Sequence, residues 1–225
     1  MGIRELYVVR SIASEQCREW LLYKHYAGRI PTIEYSFGLY KEDILCGVCT
    51  FGCPPRVMNN GDSIFNSIRV KTLELNRLVI NDNMGKNVLS FFVSQCLNKL
   101  PKPCCIVSYA DQTFGHNGYI YQATNWIYTG LNKIHERQIF YNGVEVHPRT
   151  ACSNGYTNIS DWASKDKNVT LGEYTSKHRY FKFLGSKTMV KKMINDLKYD
   201  ILPYPKGDNI RYDTSYKPKI QGILF

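Results

Sequence analysis

The chain has 225 residues, 44% hydrophobic and 21% charged, a balance that excludes a disordered or low-complexity protein. No stretch approaches ~18 consecutive apolar residues, so no membrane-spanning helix is expected, and the opening MGIRELYVVRS lacks the apolar run of a secretory signal. Twenty-nine Lys and Arg against nineteen Asp and Glu leave +10, which favours an anionic partner such as nucleic acid, a phosphorylated cofactor or a membrane surface.

In chain order, residues 4–10 (RELYVVR) read as a short strand. From Ser14 a helical period sets Cys17, Trp20, Leu21 and Tyr23 on one side, and Gly28 stops it. Tyr35–Tyr40 and Ile44–Phe51 form a hairpin about the polar tip Lys41-Glu42-Asp43, and Asn59-Asn60-Gly61-Asp62 is loop. Thr72–Ile80 is a strand whose alternation groups Leu73, Leu75 and Arg77. After Asn81–Gly85 the spacing of Lys86–Leu100 is helical until Pro101 and Pro103. Cys104–Ala110 is nearly all apolar, as suits a central strand covered on both faces.

Strand, turn, helix and strand within about 40 residues make a βαβ unit. The expected fold is therefore α/β, a mixed sheet with a central parallel pair flanked by helices. Tyr119–Asn125 reads as a short helix, Trp126–Leu131 as a strand, and Lys187–Lys198 as a basic helix ended by Pro203–Pro205. Residues 132–180 are polar and mixed, and past Lys206 the tail reads as irregular. One domain is expected, with a basic C-terminal extension from about 177.

The eight cysteines read as thiols. Cys46, Cys49 and Cys53 lack the second ligand pair of a structural zinc site, so no metal ligand is assigned, although His25, His116 and Asp111 leave participation by iron or another metal an open question.

Two places can carry chemistry. The turn Asn83-Met84-Gly85-Lys86-Asn87 runs straight into a helix, so free backbone N–H groups and the helix dipole can face a pyrophosphate; an ordinary Asn/Gly helix entry has the same sequence. It has neither a Walker nor a Rossmann frame. The denser constellation is 108–118, SYADQTFGHNG, at the C-terminal end of the second parallel strand, where open α/β sheets place ligands. Strand geometry points Tyr109 and Asp111 to one face, and His116 can titrate near neutrality. Asp111 can equally cap the next helix, and His116 can be a plain loop residue. Aromatics of 121–128 read partly as core; Gln122 or Asn125 could read the edge of a base. The basic run Lys177, Arg179, Lys182, Lys187, Lys191 and Lys192, with Tyr174, Tyr180, Phe181 and Phe183 interleaved, reads as a solvated face or a contact for a nucleic-acid backbone.

The segments KHYAGRIP (24–31), GVCTFGCPP (47–55), LELNRLVI (73–80), KNVLSFF (86–92), SYADQTFGHNGYIYQATNWIYTG (108–130) and KHRYFKFLG (177–185) together resemble the Mom DNA-modification proteins of bacteriophages, a divergent branch of the GNAT acyltransferases. The resemblance implies a GNAT-like sheet whose central parallel pair is splayed, with the pantetheine of an acyl-CoA-type donor in the splay. It implies double-stranded DNA as partner, modification of the exocyclic amine of adenine to N6-carbamoylmethyladenine, and work in the cytoplasm of a phage-infected bacterium. By the same resemblance Asp111, with His116, Tyr109 and Asn125, is catalytic. His25, Tyr26, Tyr121, Trp126 and Tyr128 then bind the flipped base, and Arg77, Lys86, Asn87 and Ser90 the donor. The turn departs from the Arg/Gln-x-x-Gly-x-Gly/Ala pattern of GNAT enzymes, and carbamoylmethylation puts no carbonyl beside N6. The small-molecule or carrier-bound donor is therefore open, as is assembly into a homodimer. The competing readings are an N-acetyltransferase for a protein amine or small molecule, and a nucleic-acid-binding module without activity.

Overall fold

The computed structural model describes residues 2–54, 64–112, 115–132, 136–146, 150–207 and 214–215. Its first strands are β1 (Tyr7–Ser11), β2 (Tyr35–Lys41), β3 (Ile44–Gly52), β4 (Lys71–Ile80) and β5 (Cys104–Asp111). Then come β6 (Ile127–Leu131), β7 (Glu136–Tyr141), β8 (Val144–Val146), β9 (Val169–Thr175) and β10 (Lys177–Leu184). Seven of them form one sheet in the order β1-β2-β3-β4-β5-β10-β6, in which only β4 and β5 run parallel. The mixed α/β sheet with a central parallel pair is thus present, and the hairpin β2–β3 turns at the expected tip.

The parallel pair is splayed. β4 and β5 are in register only from Lys71–Glu74 against Cys104–Val107, and beyond those rungs they part. A bulge accompanies the parting: pairing with β3 steps from Phe51↔Leu75 to Thr50↔Arg77, so Asn76 is an extra residue in β4. Its side chain is held from both sides, donating to the Thr32 carbonyl at 3.0 Å and accepting from Thr50 Oγ1 at 2.6 Å. The extra residue reverses the alternation. Leu73 and Leu75 share the main core with Leu78 and Ile80, while Val79 packs on the opposite face. Arg77 therefore does not group with Leu73 and Leu75, as simple alternation predicts.

Where the strands part, Ser108 Oγ donates to the Leu75 carbonyl at 2.7 Å and is hydrogen-bonded to Tyr121 OH, also at 2.7 Å. Ser108→Ala would strand both groups in the interior, and a loss of about 1–3 kcal/mol of stability is expected in denaturant unfolding. An unchanged midpoint would remove this side chain from the splay's support.

Helices cover both faces. α1 (Ile3–Leu6) takes the start of the segment expected as strand, because the Glu5 carboxylate bonds back to Gly2 N at 2.7 Å and closes a turn. α2 (Ser14–Glu19) runs on as a π-helical segment, Trp20–Lys24, whose wide turn closes with His25 N donating to Trp20 O at 3.0 Å. Cys17 and Leu21 pack there on Val48 and Val79. On the other face α3 (Val88–Lys99) and α4 (Tyr119–Ala123) set Val88, Phe92, Cys96 and Tyr121 against Leu73, Ile106 and Tyr180.

The stretch that the sequence leaves unassigned supplies a three-stranded sheet, β8-β7-β9, with α5 (Thr150–Ser153) and α6 (Ile159–Lys165) and a core of Ile139, Ala151, Trp162 and Val169. The segment from about 177 opens with β10, seated between β5 and β6, and continues into α7 (Lys187–Asn195). That helix ends at Asn195, ahead of the expected Pro203–Pro205 stop. The loop expected at 59–62, together with Thr113, Phe114 and most of the tail past Lys206, lies outside the described residues.

Candidate active site

β5 ends at Asp111, and its antiparallel partner β10 starts directly opposite with Lys177. The ion pair that results spans 3.4 Å between Lys177 Nζ and Asp111 Oδ2, with the Asp111 side chain only 14% exposed. On the same face of the sheet stand Tyr109, one rung along β5, and Glu74 and Arg77, which the bulge brings to that side of β4. The π-helical segment delivers His25 and Tyr26. Their rings stack at 4.3 Å, and Tyr26 meets the His116 ring edge-on at 5.4 Å.

Electrostatics place these groups as neighbours. Burial raises the Tyr26 hydroxyl above its ordinary value of 10.0, and the Asp111 and Glu74 charges push it the same way against Arg77 and Lys177. Tyr109 is raised by burial first and then by Glu74. His116 is lowered from 6.5 by burial, with the Asp111 carboxylate opposing. The structure thus brings Asp111, His116, Tyr109, His25 and Tyr26 together, with Arg77 added. Glu74 is a member that the sequence reading missed; a lone carboxylate inside the apolar run TLELNRLVI was its one signal.

The His116 loop is held firmly. Gly118 lies at φ +71°, and a Cβ there would fall 2.4 Å from the Tyr180 ring. The Tyr180 hydroxyl donates to the Asn117 carbonyl at 2.6 Å. Beside it Gln112 Nε2 lies 3.2 Å from His178 Nε2, and Tyr128 OH lies 2.8 Å from His178 Nδ1. His178, like His116, is lowered from 6.5 by burial. Both histidines resist protonation in the folded state and accept it in the unfolded one. Stability is therefore expected to fall as pH drops below about 6.5. Denaturant unfolding at pH 7.5 and pH 5.5 checks this, and equal midpoints would contradict it.

Other expected members sit elsewhere. Tyr121, Trp126 and Tyr128 are 8%, 1% and 7% exposed in the core, Tyr121 and Tyr128 packed on Tyr180 and Trp126 on Tyr121, so they are not open plates for a base. Asn125 is an exposed turn residue at φ 57°, a left-handed position that suits Asn. Its carbonyl accepts from Lys182, which pairs with Ile106, roughly 16 Å of strand from Asp111.

Lys86, Asn87 and Ser90 stand at the start of α3, on the face opposite Arg77. The basic run divides likewise. Arg179 is 9% exposed, bonded through Nε and Nη2 to Thr129 and lying 3.7 Å over the Tyr199 ring. Lys182 is turned onto the Thr124 and Asn125 carbonyls. A central strand leaves neither side chain a solvated face. Lys187, Lys191 and Lys192 of α7 are exposed.

Comparisons with known proteins agree with the resemblance read from the sequence. A family model described as the Mom protein family matches residues 6–206. The chain is 26% identical over 215 residues to the methylcarbamoylase mom of Escherichia phage Mu, covering 91% of this chain and 86% of that protein. Among solved structures it is similar to an N-acetyltransferase from Staphylococcus aureus Mu50, at 13% identity and TM-score 0.45 over 79% of this chain and 98% of that one. It is similar also to a GNAT family acetyltransferase from Elizabethkingia anophelis with acetyl-CoA bound, at 12% identity and TM-score 0.44 over 80% and 99%.

Proposed function

The chain belongs to the Mom protein family, and from that premise we propose that it is a transferase acting on the N6 amine of adenine in phage DNA, forming N6-carbamoylmethyladenine and protecting the DNA from host restriction. The observation that carries this reading is the family match across residues 6–206, which spans every member of the Asp111 cluster.

The chemistry required fits the cluster. The adenine amine is a poor nucleophile because its lone pair is delocalised into the ring, so attack on carbon needs a base to take a proton from nitrogen. Asp111 takes that role, and Lys177 at 3.4 Å orients its carboxylate. N6 is paired inside duplex DNA, so the nucleotide must be extruded to reach the site. With Tyr121, Trp126 and Tyr128 in the core, the aromatic side chain beside the extruded base is Tyr26.

A CoA-type donor fits the splay, where β4 and β5 no longer pair beyond Glu74 and Val107. Lys86, Asn87 and Ser90 would hold its pyrophosphate at the start of α3. Plain acyl transfer from such a thioester would put a carbonyl on N6, so the carbamoylmethyl carbon does not come from it by acyl transfer alone.

No helix among the described residues is long and apolar enough to cross a membrane, and the reaction is assigned to the cytoplasm of the infected bacterium. The exposed lysines of α7 are assigned to the DNA backbone. Replacing Lys187, Lys191 and Lys192 by alanine should make the dependence of log K on log salt shallower, by about 0.9 for each lysine that neutralises a phosphate. An unchanged slope would move the DNA path off this helix.

The deciding experiment is mass spectrometry of nucleosides from DNA of bacteria that express the chain. A deoxyadenosine species heavier by a carbamoylmethyl group is expected. Its absence from cells in which the Mu relative produces it would overturn the reading.

A further inference from the structure

We propose that a pocket on the far side of the His116 loop is a second base subsite, taking a nucleobase that bears an exocyclic amine. The pocket has a volume of about 340 Å³ and is lined by Asn117, Tyr119, Gln122, Pro205, Lys206 and Gly207. None of these residues except Asn117, which directly follows His116, adjoins the Asp111 cluster in sequence.

Gln122 sets the chemistry. Its Nε2 donates to the Asn117 carbonyl at 3.0 Å and lies 3.4 Å from both the Pro205 carbonyl and the Tyr180 hydroxyl. A carbonyl can only accept, so the amide is fixed with its NH2 turned to the backbone, and Oε1 is the acceptor this side chain brings to the pocket. An amine of adenine or cytosine satisfies that acceptor. The keto oxygen of a base placed against it would leave two acceptors facing and repelling each other.

The other walls suit the same guest. Tyr119 is 61% exposed at the start of α4, an aromatic plate already in solvent, which a base can cover at little cost to the fold. Lys206 adds an exposed cation for the attached phosphate. Gly207 closes the pocket by passing so near Asn117 that a Cβ would fall 2.5 Å from its Nδ2, at φ +150° where side chains are strained. Tyr180 pins the 115–118 loop, so the pocket and the Asp111 cluster hold a fixed relation. The taste for an amine-bearing base follows from the pocket alone. That the guest is the nucleotide flanking the modified adenine rests on the DNA-modifying reading.

The test titrates the full chain with deoxyadenosine monophosphate and with the deoxynucleotide of unsubstituted purine, which differs only in lacking the amine. Side-chain amide resonances of Gln122 report the site. The adenine nucleotide is expected to shift them and to bind roughly fivefold more tightly than the purine nucleotide, the worth of one hydrogen bond. Tyr119→Ala, which removes an exposed ring and leaves the core intact, should weaken binding roughly tenfold. Equal affinity for the two nucleotides, or shifts confined to Tyr26 and His116, would overturn the subsite. Modified DNA in cells with no nucleotide at Gln122 sinks the subsite and spares the DNA-modifying function; a nucleotide at Gln122 with unmodified DNA does the reverse.

Discussion

Asp111→Asn is expected to lower the yield of modified adenine by about 10²- to 10⁴-fold, the usual span for removal of a general base. Asparagine keeps the shape of the side chain and its hydrogen bonding but cannot take a proton from nitrogen. The fold should tolerate the change. Asp111 is the last residue of β5, and the asparagine amide keeps a polar group facing Lys177, whose side chain is 30% exposed. The measurement is the ratio of modified to unmodified deoxyadenosine in cellular DNA, beside soluble protein of unchanged circular dichroism. Wild-type yield from the asparagine variant would remove Asp111 from the chemistry, and Glu74, the other carboxylate beside Tyr26 and Tyr109, would take its place as candidate base.

The geometry separates this effect from a positional one. Lys177 lies opposite Asp111 at 3.4 Å, so Lys177→Met removes that ion pair without deleting the carboxylate. A partial loss from that variant beside a near-complete loss from Asp111→Asn places the proton transfer on the carboxylate.

Much of the fold was legible because local patterns decide it. Period-two apolar runs separated by polar tips marked β2, β3 and β4, and the nearly all-apolar CCIVSYA announced β5, a strand covered on both faces. The end of that strand also marked Asp111 and His116 as candidates, since parallel strands expose their C-terminal ends to ligands. What the sequence hid were long-range choices. Nothing local shows that Asn76 is bulged, because the bulge is set by partners at Thr32 and Thr50. That single residue sends Arg77 to the Tyr26 side and away from Lys86 and Asn87.

KHRYFKFL misled for another reason. Lys and Arg read as solvated, yet their long stems run along apolar neighbours while the charged heads reach carbonyls or a ring face. In β10 that puts Arg179 against Thr129 and Tyr199, whereas the α7 lysines stand in water. Tyr128 and Trp126 read as base plates because burial is not written in an aromatic's own letter. Their neighbours decide it: Tyr180 arrives from more than 50 residues away and lies between Tyr121 and Tyr128 at ring distances of 5.0 and 5.1 Å.

Trp126→Ala is accordingly expected to cost about 3–5 kcal/mol of stability, the range for deleting a large buried ring. A domain is commonly stable by only about 5–15 kcal/mol, so this loss should drop the denaturation midpoint steeply and thin the soluble protein in cells. The ring is 1% exposed and packs on Tyr121 at 5.0 Å, so nothing collapses readily into the space. Trp126→Phe makes the contrast. The indole Nε1 is buried with no hydrogen-bond partner among the described residues, so phenylalanine leaves a smaller cavity and also removes an unsatisfied donor. It should keep most of the stability and all of the modification per folded molecule. A base-stacking role predicts the opposite pattern, a stable alanine variant that folds normally and no longer modifies DNA. Denaturant midpoints read beside nucleoside yields for the two variants decide between a ring that holds the core under the Asp111 cluster and a ring that holds the base.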